Sequence, residues 1–357
     1  MSHRIILTID GGGVRGIVPA LVLSEIYRRI KKIDPENIRG LHEYFDLVVG
    51  TSAGAIVASA ITTPNGPDSN EAVMHPDHVV DFFREHVRSI FPRTLFQKIR
   101  DVLNIIDEKY DHGYLDEILK RTLRTATIGE ALTNVVYTAY DIETRKPVFM
   151  TNIDDEKNTT SRMLVKDVVR ASTAAPTYFA PARILHDDQK SYRTLIDGGV
   201  FMNDPALAGL HFSNTLGYPL EDLTIISLGT GRESRPYMYH EVKNWGFVNW
   251  VSPRRGVPLL SILSSGQAES TYMMLNQTLN RPGGTRRYIK IDGQLAIGND
   301  DLDDSSEENM AELEVFARML VDRHDSQIDE IANLLYRKLN PEHVLPERAL
   351  PIEGNAE

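Results

Sequence analysis

Cysteine is absent from all 357 residues. That excludes a disulfide scaffold, thiolate catalysis and any metal centre built on sulfur. Long hydrophobic runs are missing too, for no apolar stretch approaches the ~20 residues a helix needs to span a bilayer. Positive charge is in short supply: 39 Lys and Arg against 50 Asp and Glu leave a formal net charge of -11 at pH 7. With a sequence pI near 5.5, a polybasic binder of nucleic-acid polymers is disfavoured, although a local basic patch inside an acidic total is not. The opening string MSHRIILTIDGGG lacks the basic-then-apolar order of a secretory signal, because a strand-like run begins almost at once. No internal repeat or low-complexity segment is found. What remains, 41% hydrophobic and 25% charged residues, is the composition of an ordinary globular protein. The expectation is a cytoplasmic protein, peripheral at membranes when active.

Along the chain, strand-like and helix-like segments alternate in the manner of an α/β domain. RIILTID reads as a buried strand, and IVPALVLSEIYRRIKKI as a helix carrying Val18, Leu21, Val22, Ile26 and Ile30 at helical spacing. FDLVVG is a second strand, and AGAIVASAI a helix of small residues that can lie close to a sheet. Residues 62–127 change character and read as a helical insertion or cap, with SIFPRTLFQKIRDVLNII as an amphipathic stretch. Strand-like runs return at NVVYTAYDI, KPVFMTNI, RTLIDGG and LTIISLGTG, and residues 236–286 read as irregular. A helix capped by Ser305 or Ser306 closes the pattern. One domain is expected over residues 1–340, with 341–357 as a C-terminal tail.

Two glycine motifs carry the chemistry. DGGGVRG satisfies G-x-G-x-x-G through Gly11, Gly13 and Gly16, between a strand and a helix. Alone it would suggest a dinucleotide site, but no acidic residue closes a second strand about 20 residues on, where KKIDPENIRGLHEYF is loop-like. The underlying physics is broader: a glycine turn feeding a helix N-terminus offers unpaired N–H groups to any anion, a transient one included. The second motif, GTSAG, fits G-x-S-x-G after the strand DLVV and before a helix, the context of a nucleophile elbow. Gly50 and Gly54 would let strand and helix approach around Ser52, the candidate nucleophile. Small residues that merely permit tight packing would explain either string alone. Together they favour acyl transfer, one supplying the nucleophile and the other the oxyanion donors.

The candidate base is Asp197, which ends the strand RTLI ahead of Gly198 and Gly199. Catalytic groups of open α/β sheets gather at strand carboxyl ends, although Asp-Gly is also an ordinary turn. A histidine base is the alternative, and His211 in NDPALAGLHFSNTL is the nearest plausible one. That segment reads as a helix with Asn203 or Asp204 as N-cap and Pro205 in its first turn, which sets His211 almost two turns from Asp197.

DGGGVRG, GTSAG, ASTAAPTYFAP and DGG, in this order, resemble the patatin-like phospholipases, a group of lipid acyl hydrolases, and the resemblance runs from about Arg4 to Tyr336. It implies the three-layer fold of that family, a central and mostly parallel sheet flanked by helices. It implies a Ser-Asp dyad in which Ser52 attacks the ester and Asp197 takes its proton with no histidine between them. Gly12 and Gly13 would supply the oxyanion-hole amides, with Arg15 supporting that loop or the anion and Ala53 as a further donor. Neither metal nor cofactor is implied. A carboxylate with an ordinary pKa of ~3.9 is a poor base for a serine hydroxyl, so the site should be desolvated to raise it.

The implied substrate is a phospholipid or other acyl lipid, met at a transient membrane surface. Two segments suit such a surface: the amphipathic stretch near residues 89–106, and the loop carrying Trp245, Phe247 and Trp250 near Arg254 and Arg255. Bacterial patatin-like enzymes include membrane-degrading effectors of anti-phage signalling, which suggests a cyclic dinucleotide activator, though no nucleotide-binding motif is found. A non-catalytic lipid-binding relative and a dinucleotide-dependent oxidoreductase stand as the alternatives.

Overall fold

The computed structural model describes residues 3–36, 39–91, 113–153, 160–185, 191–232, 236–252, 257–299 and 301–342. The chain opens with β1 (Arg4–Ile9), a glycine turn and α1 (Ile17–Ile33), then α2 (Leu41–Tyr44), β2 (Leu47–Gly50) and α3 (Ala53–Thr62). Next come α4 (Pro76–Ile90), α5 (Gly113–Leu123), the hairpin β3 (Asn134–Asp141) and β4 (Lys146–Thr151), and α6 (Val165–Ser172). A second hairpin, β5 (Ala182–Leu185) and β6 (Tyr192–Asp197), leads to α7 (Ala206–Thr215) and β7 (Leu223–Leu228). Two single turns, α8 (Tyr239–Val242) and α9 (Phe247–Trp250), precede α10 (Pro258–Leu279), β8 (Tyr288–Ile291), α11 (Glu307–Arg323) and α12 (Asp325–Leu339).

The strands form one sheet in the order β5-β6-β3-β2-β1-β7-β8, with β4 also on β3. Strands β3, β2, β1, β7 and β8 run parallel, while β4 and β6 run antiparallel to β3. Alternate residues of β1 explain the layering. Ile5, Leu7 and Ile9 join the larger core with α1, α3, α4, α6, α11 and α12, whereas Ile6 joins the smaller one with Ala206, Phe212, Leu275 and Leu279 of α7 and α10. A strand covered on both faces must be apolar throughout, which is why RIILTI shows no polar alternation. The fold is therefore α/β in three layers, with a mostly parallel central sheet. Among the described residues no helix is long and apolar enough to cross a membrane.

Four expectations are corrected. Residues 236–286 are not irregular, since 22 of them form α10. Only Pro258, Thr271, Leu275 and Leu279 of this helix are buried, so its sequence lacks the apolar period by which helices are recognised. Ser265, Ser270 and Thr278 also turn their hydroxyls onto carbonyls four residues back, a habit of poor helix formers. The closing helix is two, α11 and α12, interrupted at His324, and Ser306 is the N-cap, accepting from the Asn309 amide at 3.2 Å. Pro205 stands at the N-cap of α7 rather than inside its first turn, with Asp204 Oδ1 accepting from the Ala206 amide. The loop-like stretch before β2 contains the helical turn α2. Most of the amphipathic stretch falls outside the described residues, only 89–91 being within them.

Close approach of backbone to backbone decides two glycines. A Cβ on Gly54 would lie 2.2 Å from the Ile9 carbonyl oxygen, and one on Gly50 2.5 Å from that of Gly54. Gly266, exposed on α10, has nothing within 4 Å of its Cβ position. Gly54→Ala should therefore cost ~2–3 kcal/mol through overpacking, while Gly266→Ala should gain ~0.5–1 kcal/mol from helix propensity. Urea denaturation midpoints of the two variants check both signs.

Candidate active site

The strand pairings bring the two candidate side chains together. On β3, Tyr137 pairs with Gly50 of β2 and Ala139 pairs with Asp197 of β6. Both residues also pair with β4, which occupies the opposite edge. Strands β2 and β6 therefore share one edge of β3, and their carboxyl ends meet head on. Asp197 reaches the carboxyl edge of the parallel strands although its own strand runs against them, because β3 overshoots β2. Ser52, two residues past the end of β2, lands beside it.

Ser52 has φ 54° and ψ -122°, a left-handed conformation a non-glycine residue enters only under constraint. Its amide donates to Ser172 Oγ at 3.1 Å, and its hydroxyl donates to Asp197 Oδ2 at 2.6 Å. The other carboxylate oxygen accepts from the Gly199 amide at 2.6 Å. Asp197 is buried, and burial pushes its carboxyl up to about 7, the hydrogen bonds from Ser52 and Gly199 opposing the shift. His211 lies exposed on α7 with its ring against Phe212. Among the described residues no histidine lines the cavity that holds Ser52.

Gly12, Gly13 and Ala53 line that cavity with Ser52 and Asp197. Their amides donate to no other group among the described residues, so three N–H groups are without an acceptor in residues that line the serine's cavity. The glycine loop is braced on three sides. The Gly11 amide donates to the Asn203 carbonyl at 3.0 Å, Thr230 Oγ1 donates to the Gly11 carbonyl at 2.9 Å, and the Val14 amide donates to the Leu302 carbonyl at 2.9 Å. Gly13 sits at φ +57°, and a Cβ there would fall 2.0 Å from the Leu302 oxygen. Arg15 does not line the Ser52 cavity. It donates to the Gly231 carbonyl at 3.2 Å and lines a second cavity behind the loop, which fits support of the loop rather than contact with an anion.

The first cavity holds about 70 Å³, and its apolar lining includes Ile56, Phe82, Phe83, Val87, Phe91 and Phe179. The second is larger, about 460 Å³, and its walls are a mixture of polar and apolar surface. One residue of its lining had no prominence in the sequence. Lys290 of β8 is partly buried, with its ammonium donating to Asp10 Oδ2 at 2.5 Å, Asp204 Oδ2 at 2.9 Å and Ser227 Oγ at 3.1 Å. The two carboxylates hold it well above the usual lysine range despite the opposing cost of burial. A single lysine inside the apolar strand YIKI was the only available signal.

Burial of Asp197 carries a stability consequence with a definite sign. Its folded-state value lies above the unfolded one, so ionisation costs stability increasingly as pH rises from about 4 to about 7. Asp197→Asn should raise the melting temperature by a few degrees at pH 8, and the gain should shrink as pH falls toward 4. Thermal unfolding at several pH values checks this, and a gain independent of pH would contradict it.

Residues 7–210 match the Patatin family, described as patatin-like phospholipase. Patatin-like protein 2 of Oryza sativa subsp. indica is 31% identical over 91% of this chain and 85% of its own length. Patatin group D-2 of Solanum tuberosum is 30% identical over 86% of this chain and 81% of its own. Among solved structures, VipD from Legionella pneumophila superposes with a TM-score of 0.46 at 14% identity, covering 91% of this chain and 67% of that one. On the extent of these sequence matches the chain belongs to the patatin-like phospholipases, a family of lipid acyl hydrolases.

Proposed function

We propose that the chain is a serine-type lipid acyl hydrolase working through a Ser52–Asp197 dyad. The observation that carries this reading is the 2.6 Å hydrogen bond from Ser52 Oγ to a buried carboxylate whose pKa burial brings near neutrality. A base near the working pH combines a useful deprotonated fraction with driving force for proton transfer. Ser52 Oγ attacks the acyl carbonyl as its proton passes to Asp197 Oδ2. Negative charge gathers on the carbonyl oxygen and is met by the amides of Gly12 and Gly13, with Ala53 as a third donor, each worth ~3 kcal/mol in a preorganised site. Collapse expels the alcohol, which takes the proton from Asp197 and leaves an acyl-serine. Water then attacks the acyl carbon as its proton passes to Asp197, the bond to Ser52 Oγ breaks to release the fatty acid, and Oγ takes the proton back from Asp197.

The apolar crevice suits the acyl chain. It lies between α3, α4, Leu115 of α5 and the segment 173–179 that follows α6, so the helical insertion supplies one wall within a single catalytic domain over residues 1–340. Substrates of this kind are met at an interface, and the exposed apolar surface suggests where. Trp245 and Trp250 pack edge to face at 5.0 Å and are partly buried, which turns attention to Phe247 and Val248, 79% and 75% exposed. Arg254 and Arg255 lie outside the described residues. The reading stops at the hydrolase: the cyclic dinucleotide activator and the defence role gain no support from the fold or the relatives.

Labelling with a fluorescent fluorophosphonate tests the dyad. Wild type should label, Ser52→Ala should not, and Asp197→Asn should lose at least about a thousandfold in turnover of a nitrophenyl ester. The kcat/KM of the wild type should rise with pH through about 7 and then level, as Asp197 loses its proton. Near-normal turnover by Asp197→Asn would remove the dyad. For the interface, Phe247→Ser/Val248→Ser should weaken flotation with phosphatidylcholine liposomes severalfold, and unaltered flotation would exclude this surface.

A further inference from the structure

The second cavity is assigned no role by the dyad. It opens at the carboxyl ends of β1, β7 and β8, lined by Asp10, Gly231, Arg232, Lys290 and Asp292, the crevice where open α/β sheets bind ligands. Asn203, Leu260 and Leu302 line both cavities, so they adjoin on either side of the glycine loop. A lipid with its ester at Ser52 and its acyl chain in the apolar crevice would have this adjoining cavity within reach of its other end.

The charges on the cavity wall describe that end. Of its three cations, Lys290 is taken by Asp10, Asp204 and Ser227, and Arg15 donates to Gly231. Arg232 is different. Its guanidinium stands 3.8 Å from Glu269 Oε2 and 3.9 Å from Asp292 Oδ2 and makes no hydrogen bond among the described residues. A guanidinium fork held beyond hydrogen-bond distance keeps its donors for a bidentate phosphate contact. The two carboxylates are ion-paired with Arg232 only at this distance, and Asp292 Oδ1 also accepts from the Gly231 amide at 3.1 Å, so each has lone pairs for a further cation, with the Tyr272 ring on the same wall. Asp10, which lines the same cavity, has a buried Oδ1 with no hydrogen-bond partner among the described residues, a further acceptor. A headgroup with phosphate alone would meet one available cation among several carboxylates, whereas one that adds an ammonium answers both.

Resting on the hydrolase reading, we propose that this cavity is a headgroup subsite for zwitterionic glycerophospholipids, with the phosphate on Arg232 and the ammonium between Glu269 and Asp292. Arg232 and Glu269 are more than half exposed, so substitution there spares the core. The test uses full-length protein and mixed micelles of neutral detergent with phosphatidylethanolamine or phosphatidylglycerol of the same acyl chains, each rate taken relative to nitrophenyl butyrate hydrolysis by the same variant. Wild type should favour phosphatidylethanolamine by about tenfold in kcat/KM. Glu269→Gln should bring that preference close to one, and Arg232→Gln should lower both relative phospholipid rates by about tenfold. A wild type without headgroup preference, or variants with wild-type ratios, would overturn the subsite while Ser52-dependent ester hydrolysis left the hydrolase standing. Failure of the wild type to hydrolyse the nitrophenyl ester would instead remove both.

Discussion

The candidate site depends on two strands ending against each other on one edge of β3. Strand β2 arrives from one direction and β6 from the other, and Tyr137 and Ala139 fix their carboxyl ends two residues apart. Thr138 lies between them, its hydroxyl bonded to that of Thr51 at 2.7 Å. It also crowds Gly198, where a Cβ would fall 2.0 Å from Thr138 Oγ1. The serine and the aspartate are thus set by backbone pairing, and the 2.6 Å contact between them needs no imidazole as a bridge.

Burial acts on this site in two opposing ways. Withdrawing Asp197 from water costs folding stability at neutral pH and, through the same shift, brings a carboxylate into the range where it can exchange protons with a serine. The Lys290 cluster follows similar logic. Desolvating an ammonium and two carboxylates is expensive, and such clusters seldom add stability relative to apolar packing. Its value lies in position, for Asp10 begins the glycine loop and Asp204 follows Asn203, whose carbonyl holds Gly11. One ammonium ties both segments to β8.

Asn203, Leu260 and Leu302 stand between an apolar crevice at Ser52 and a larger cavity lined by charged side chains. That division suits an amphipathic substrate, and the dinucleotide reading of DGGGVRG fits less well, because Gly12 and Gly13 line the cavity that holds Ser52 and Asp197. Family membership accords with this arrangement without fixing activity, since one relative, 28% identical, is a probable inactive patatin of Solanum tuberosum.

Local rules were enough for part of this protein. An apolar run reads as a strand buried on both faces, G-x-S-x-G between strand and helix as a tight elbow, and an aspartate at a strand's carboxyl end as a candidate base; β1, β2, α1, α3 and the candidates Ser52 and Asp197 were legible on those grounds, whereas Gly12 and Gly13 came from the family resemblance. Helix α10 was not, because its face toward the sheet is too small to leave a period. Nor were Lys290, the role of Arg15 behind the loop, or the second cavity. Each of these depends on which strand lies beside which. Asp197 meets Ser52 across 145 residues because β6 runs back along β3, and its pKa is a property of the burial that follows. Sequence determined the local conformations, and tertiary structure decided the meetings, since only packing brings distant charges within a few ångströms and removes the water between them.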